Sequence, residues 1–272
     1  MILQTAVLSV LLCSVHSFTL QASFEKSDEN SGNTIEDEDV SISALLEKAN
    51  ANAGKNLNGS RLMFGDILVP TDLKNADPCT RRGCMWPKSR NGKVYVPYCL
   101  SNQYSRSEKK TIIKGLQSFS ASTCIRFIPR KRQKDFLNIY SDNGCYSFLG
   151  RQRGSQTLSL QRRGCTVFRI VQHELLHALG FHHEQSRSDR DEHVRILWEN
   201  IKRGKSSQFR KVDTRNLNTP YDYNSVMHYG RKFFSGNGKP TIVPIPNPNV
   251  PIGEATRMSS NDILRVNRLY GC

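Results

Sequence analysis

Eleven residues, His173-Glu174-Leu175-Leu176-His177-Ala178-Leu179-Gly180-Phe181-His182-His183, constrain this 272-residue chain more than any other stretch. In an α-helix, positions i and i+4 lie one turn apart on the same face, so His173 and His177 can chelate one ion. Leu175, Leu176, Ala178 and Leu179 give the segment an apolar face, which reads as a buried helix. Gly180 can take the left-handed conformation that ends a helix, after which the chain turns back and offers His183. Three protein ligands leave a position open, the pattern of catalytic rather than structural zinc. Glu174 follows the first ligand directly, where a general base reaches a zinc-bound water. A lone His-x-x-x-His pair is common on amphipathic helices. The inner glutamate, the glycine and the third histidine are separate requirements, and all are met. His182 is off the ligand spacing and reads as a surface or packing residue.

A second signal lies at Ser225-Val226-Met227-His228-Tyr229-Gly230. A methionine-containing turn downstream of three histidines is the metzincin pattern. The soft thioether of Met227 can pack under imidazoles without competing for the metal. Tyr229 adds a phenol within reach of zinc or a developing oxyanion. With Glu184 directly after the third histidine, His173–Glu184 and Ser225–Tyr229 resemble the astacin family of zinc endopeptidases. The resemblance runs from Asn75 to Cys272 through Cys79–Trp86, Thr123–Phe127, Gln185–Asp191, Asn218–Tyr223 and Ile245–Gly253, and is closest to the fish hatching enzymes (choriolysins) and six-cysteine relatives.

The pattern of residues predicts an α+β domain. Lys93–Tyr98, Ile125–Ile128, Phe136–Tyr140 and Thr157–Leu160 read as strands. Ser105 to about Thr123 reads as a helix, with Ser105 and Glu108 at capping-box spacing and Ile112, Ile113, Leu116 and Phe119 on its apolar side. The zinc helix spans about Thr166–Leu179, and a last helix lies near Asp262–Tyr270. The expected architecture is a twisted mixed five-stranded sheet with two long helices above an irregular lower half, the zinc cleft between them. Thr157–Leu160 is expected to form the upper rim, where an extended substrate adds as a strand.

Charge divides the chain. Residues 1–74 carry 5 basic and 10 acidic residues, and residues 75–272 carry 34 and 14. The uncharged apolar run Ile2–Cys13 suits a signal peptide ending at Ser17, or as late as Ala22, and is too short to span a membrane. Residues 18–74 then read as an acidic pro-peptide, with a short helix over Ser41–Asn50 and the acidic run Glu36–Asp39, and 75–272 as the catalytic domain. Astacin pro-peptides carry Phe-x-Gly-Asp, whose aspartate fills the open zinc position. Here Met63-Phe64-Gly65-Asp66 keeps the Gly-Asp with the phenylalanine displaced by one place, so the resemblance assigns Asp66 as the latency ligand. Lys74–Asn75 offers a trypsin-like activation site, and the resemblance implies that the freed amino group of Asn75 is buried near Glu184. Asn58-Gly59-Ser60 is the glycosylation sequon, inside the removable part.

Eight cysteines fit an oxidising compartment. With Cys13 in the signal, seven remain, and an odd number closes no set of bridges. The resemblance implies Cys124–Cys272, Cys145–Cys165 and Cys79–Cys84, leaving Cys99 unpaired as a small core residue.

The expected chemistry is peptide hydrolysis. His173, His177 and His183 hold one Zn²⁺ per chain, Glu174 takes a proton from the attacking water and passes it to the leaving amine, and Tyr229 resembles the family's switching tyrosine. The expected partners are extended polypeptides, acidic egg-envelope glycoproteins among them, and a trypsin-like activating protease. Arg130-Lys131-Arg132 and Arg162-Arg163 resemble phosphate-binding runs, but secretion and disulfides argue against nucleic acid. The expected protein is a monomer without a membrane span, secreted, with storage in secretory granules before release as an added expectation. The rival readings are a six-cysteine astacin of another tissue and a catalytically silent glycoprotein-binding relative.

Overall fold

The computed structural model describes residues 41–53, 57, 59–70 and 83–272. The expected signal peptide, the Glu36–Asp39 run, Asn58, the Lys74–Asn75 bond and Cys79 lie outside these residues.

The order of elements is α1 (Ile42–Asn50), β1 (Ser60–Met63), β2 (Ile67–Pro70), β3 (Val94–Leu100), α2 (Arg106–Ser118), β4 (Ile125–Pro129), β5 (Phe136–Tyr140), β6 (Cys145–Phe148), β7 (Ser155–Leu160), α3 (Phe168–Ala178), β8 (Val194–Ile196), β9 (Ile242–Pro244) and α4 (Ser260–Tyr270). Seven strands form one mixed sheet in the order β1-β2-β6-β7-β5-β3-β4. Five of them come from residues 94–160, the number expected of the catalytic domain. The other two are an antiparallel hairpin, β1–β2, from the segment ahead of it. The strand expected as the substrate rim is not an edge. β7 lies between β5 and β6 and is paired on both sides, so its main chain has no free row of donors and acceptors. Among the five strands from residues 94–160, β6 and β4 are the outer two, and β2 covers β6 in parallel through Ile67↔Ser147 and Leu68↔Phe148. An edge strand attracts such pairing because its outward N–H and C=O groups lack partners. β6 is invisible to periodicity, since it is four residues long and three of them in a row are buried.

The helices form where the sequence supplies caps. Ser105 accepts from Glu108 N and Glu108 reaches back to Ser105 N at 2.7 Å, so the capping box closes. α2 stops at Ser118, five residues before the expected Thr123, because the chain tightens there: Ser120 and Thr123 return hydrogen bonds to Gln117 and Phe119, and Cys124 is bridged to Cys272. Ser259 and Asp262 close a second box at α4, and Gly271 ends that helix in the left-handed conformation (φ 63°). α2 and α3 pack together with Ile112, Leu116, Phe119, Ile170, Val171 and Leu175 buried in one core with the sheet. Gly115 sets their approach. A Cβ there would overlap Val171 Cγ1.

Cys145–Cys165 ties β6 to the loop entering α3, and Cys124–Cys272 ties the start of β4 to the chain end. Cys99, expected to be unpaired, is disulfide-bonded, as is Cys84, and there is no free thiol among the described cysteines. Cys79 of the expected Cys79–Cys84 pair lies outside the described residues. Burial of Cys99 at 9 % exposure is compatible with a thiol or a bridge, so a core location alone does not decide its state. The lower half holds the small antiparallel sheet β8–β9, short turns of 3₁₀-helix and α4.

Gly115→Ala tests the helix crossing. Alanine has the better helix propensity by about 1 kcal/mol, yet overpacking against Val171 should lower stability by roughly 1–3 kcal/mol in denaturant unfolding.

Candidate metal centre and cleft

α3 carries His173 and His177 on one face, and every residue from Arg169 to Ala178 is buried. Its end is held by side chains rather than solvent. Trp86 Nε1–H donates to Ala178 O at 2.9 Å, and the Tyr270 hydroxyl donates to Leu179 O at 2.9 Å. Gly180 takes φ 104°, its N–H closes on His177 O at 2.8 Å, and the chain returns to place His183 beside the helix. The three Nε2 atoms converge: His173–His177 3.1 Å, His177–His183 3.2 Å and His173–His183 3.3 Å. All three residues are fully buried.

This convergence fits a metal ion. His173 Nδ1 lies 2.8 Å from Val226 O and His177 Nδ1 lies 2.7 Å from Phe181 O. A carbonyl accepts only, so each Nδ1 carries the proton and each Nε2 turns a lone pair inward. Burial lowers the His177 pKa and holds that of His183 down at about 3, which keeps both rings neutral, the ligating form. Lone pairs facing one another across 3.1–3.3 Å repel unless a cation lies among them. Tetrahedral zinc with Zn–N of about 2.05 Å requires N···N separations of roughly 3.3 Å, close to those found. Asp66 completes the set. Its Oδ2 is 2.9 Å from His173 Nε2, and its Oδ1 is 3.0 Å from His183 Nε2 and 3.3 Å from His177 Nε2. The four donor groups lie within 4.8 Å of one another. Burial opposes the Asp66 charge, and neutral rings with inward lone pairs do not offset that, so an ionised carboxylate here needs positive charge among the three nitrogens.

Glu174 is fully buried, and neither carboxylate oxygen has a hydrogen-bond partner among the described residues. Burial, and then the charge of Asp66, push its pKa well above the ordinary value. A buried carboxyl without partners is costly for a fold to retain. The Tyr229 hydroxyl donates to Asp66 Oδ2 at 2.7 Å and lies 3.1 Å from Phe64 O. In this state the phenol engages the carboxylate that lies among the three imidazoles.

The turn that carries Met227 and Tyr229 is fastened to α4. Asp262 accepts from Ser225 Oγ at 2.6 Å and from Val226 N at 2.9 Å. Val226 O in turn orients His173. Met227 is buried, and its carbonyl accepts from Glu184 N at 3.1 Å, joining the turn to the third-ligand loop. Glu184 itself is buried and fully engaged. Oε1 accepts from Asp222 N at 2.7 Å, Arg265 Nη2 at 2.8 Å and Arg187 Nη1 at 3.3 Å, and Oε2 from Arg265 Nη1. Asn75, expected to reach Glu184 once freed, lies outside the described residues. His182 stands off the centre, as its spacing implied, with its ring edge-on to Phe64 at 5.7 Å.

Two further residues hold the segment that bears Asp66, and sequence reading missed both. Asn50, the last residue of α1, donates to Gly65 O at 3.0 Å and Cys145 O at 2.7 Å and accepts from Cys145 N at 2.7 Å. Its carboxamide thereby acts as one more peptide unit on the β6 edge. Gln208 Oε1 accepts from Gly65 N at 3.0 Å. Neither residue sits in a motif, and the second contact spans 143 residues, so no local signal points to them.

The fold and the site together define a zinc peptidase in which three histidines come from a helix and its returning loop. The astacin peptidase-family profile matches residues 82–271, and the chain belongs to that family. It is a zinc metalloendopeptidase acting on polypeptides. High choriolytic enzyme 2 of Oryzias latipes is 54 % identical over 212 residues, covering 78 % of this chain and 76 % of the relative. Low choriolytic enzyme of the same fish is 43 % identical over 272 residues, covering 99 % and 98 %. The solved structure of high choriolytic enzyme 1, a hatching enzyme zinc-protease of Oryzias latipes, superimposes with a TM-score of 0.70 at 54 % identity, covering 73 % of this chain and all of that one. Among the described residues no helix is long and apolar enough to cross a membrane.

Metal analysis should find one zinc per chain, and His183→Ala should lose most of it together with several degrees of melting temperature. Retention of full zinc by that variant would remove His183 from the ligand set. Arg265→Met should cost about 3–5 kcal/mol in denaturant unfolding, since it leaves the buried Glu184 short of its main partner.

Proposed function

We propose that the chain is a secreted, self-masked hatching-type protease, with residues 18–74 as its pro-segment and 75–272 as the enzyme. One observation carries the masking: the Asp66 carboxylate lies against all three Nε2 atoms, in the place a reacting group must take. The hairpin β1–β2 and the Asn50 carboxamide cover the β6 edge at the same time, so the segment withholds both the metal and the strand on which a substrate would pair. Cleavage at Lys74–Asn75 by a trypsin-like protease would free both.

In the opened site, zinc supplies Lewis acidity, polarising the scissile carbonyl and acidifying a water. Glu174 takes the proton of the attacking water and delivers it to the leaving amine, and its lack of protein partners leaves both oxygens available for that transfer. The Tyr229 hydroxyl, released from Asp66, donates to the oxyanion. The egg envelope as substrate rests on the likeness to the choriolytic enzymes. The excess of basic over acidic residues after position 75, 34 against 14, suits acidic glycoproteins. Secretion is supported by the apolar amino terminus and the bridged cysteines.

Trypsin treatment of the full chain should release an activity that digests isolated egg envelopes and is stopped by a chelator. Glu174→Gln should retain zinc and hydrolyse nothing, and turnover by that variant would remove Glu174 as the base. Asp66→Ala, with the hairpin still over β6, should hydrolyse short peptides that need no strand pairing, without any cleavage at Lys74. An uncleaved Asp66→Ala chain as silent as the wild type would overturn the masking role.

A further inference from the structure

We infer that Gln208 is a substrate-positioning residue, which accepts a main-chain N–H beside the scissile bond in the opened cleft. The inference rests on the reading of this site as a masked endopeptidase. Gly65 and Asp66 trace the path of a peptide past the metal, with the Asp66 carboxylate on the three imidazoles. The residue just before that aspartate, Gly65, is gripped at both its carbonyl and its N–H. Asn50 holds Gly65 O, and Asn50 departs with the pro-segment. Gln208 holds Gly65 N at 3.0 Å, and Gln208 stays with the enzyme.

Its place is fixed by what surrounds it. Gln208 lies in a 3₁₀ turn, Ser206–Phe209, whose last residue is 1 % exposed and packs against Phe233 with tilted rings 5.7 Å apart. Arg190 Nη1 donates to Phe209 O at 2.7 Å and anchors the turn to the loop after His183. Gln208 also borders a cavity of about 390 Å³, shared with Tyr229, Phe233 and Phe234 and closed on the other side by the pro-segment. The close fit at Gly65 shows how near a chain passes: a Cβ there would lie 3.0 Å from the Tyr229 hydroxyl and 3.1 Å from Phe233. A substrate that brings its carbonyl to the metal follows the same wall, and its neighbouring N–H meets the same oxygen. One carboxamide thus serves latency first and substrate alignment afterwards.

The test compares wild type, Gln208→Ala and Gln208→Glu, each processed from the full chain, on an extended fluorogenic peptide. Loss of one hydrogen bond should lower kcat/KM about three- to tenfold in Gln208→Ala with zinc content unchanged. Gln208→Glu keeps an acceptor and should stay near wild type. In a second arm, a synthetic peptide of residues 60–70 is titrated calorimetrically into the processed enzymes, with the amide between residues 64 and 65 either intact or replaced by an ester. The ester, which lacks the N–H, should bind wild type several-fold more weakly and Gln208→Ala no more weakly than the amide does. Equal kcat/KM in Gln208→Ala and wild type, equal impairment in Gln208→Glu and Gln208→Ala, or an ester penalty independent of Gln208 would overturn the inference. A wild-type enzyme that cleaves nothing would sink the functional reading instead, and the binding arm still judges Gln208.

Discussion

Three imidazole Nε2 atoms, held 3.1–3.3 Å apart in a buried space, are the constraint on which the rest of the molecule depends. Such an arrangement is repulsive without a cation, so the fold must force it. α3 is therefore buried along its length and stopped by Trp86, Tyr270 and Gly180. The Met227 turn is clamped by Asp262 at the head of α4, and through Val226 O it fixes the tautomer of His173. Glu184 and Arg265 then tie the third-ligand loop to the same helix. The capping box of α4 is in this sense part of the metal centre. Asp262 caps a helix and supports a ligand with one carboxylate.

The segment ahead of residue 75 answers two exposed needs of that centre with one piece of chain. The Asp66 carboxylate lies against the three Nε2 atoms, where it would give a bound cation its fourth donor. β2 and the Asn50 carboxamide satisfy the N–H and C=O groups of the β6 edge. On the proposed reading of this segment as a mask, an open metal and an open strand edge are both liabilities before cleavage, the second also for aggregation.

Local chemistry makes much of this legible in the sequence. The ligand spacing, the breaking glycine, the capping box at Ser105–Glu108 and the Met227 turn each act within a few residues, where physical rules are strong. Gly65-Asp66 is readable because a short motif carries it, even with Phe64 displaced. Long-range pairing is not legible. β6 has no alternation, β7 reads as a strand without saying whether it is an edge, and the hairpin joins the sheet through Ile67 and Ser147, far apart in the chain. Cys99 departs from expectation because counting cysteines does not reveal which are bonded. Asn50 and Gln208 are ordinary amides whose roles arise only from what the fold places opposite them.

On the proposed reading, the uncleaved chain binds zinc through His173, His177, His183 and the Asp66 carboxylate. X-ray absorption at the zinc edge of the intact, unprocessed protein tests it most directly. The expected spectrum shows three imidazole nitrogens and one carboxylate oxygen, all at about 2.0–2.2 Å, with the oxygen changing character in Asp66→Ala. A water in the fourth position of the wild-type chain, or a spectrum untouched by that substitution, would contradict it.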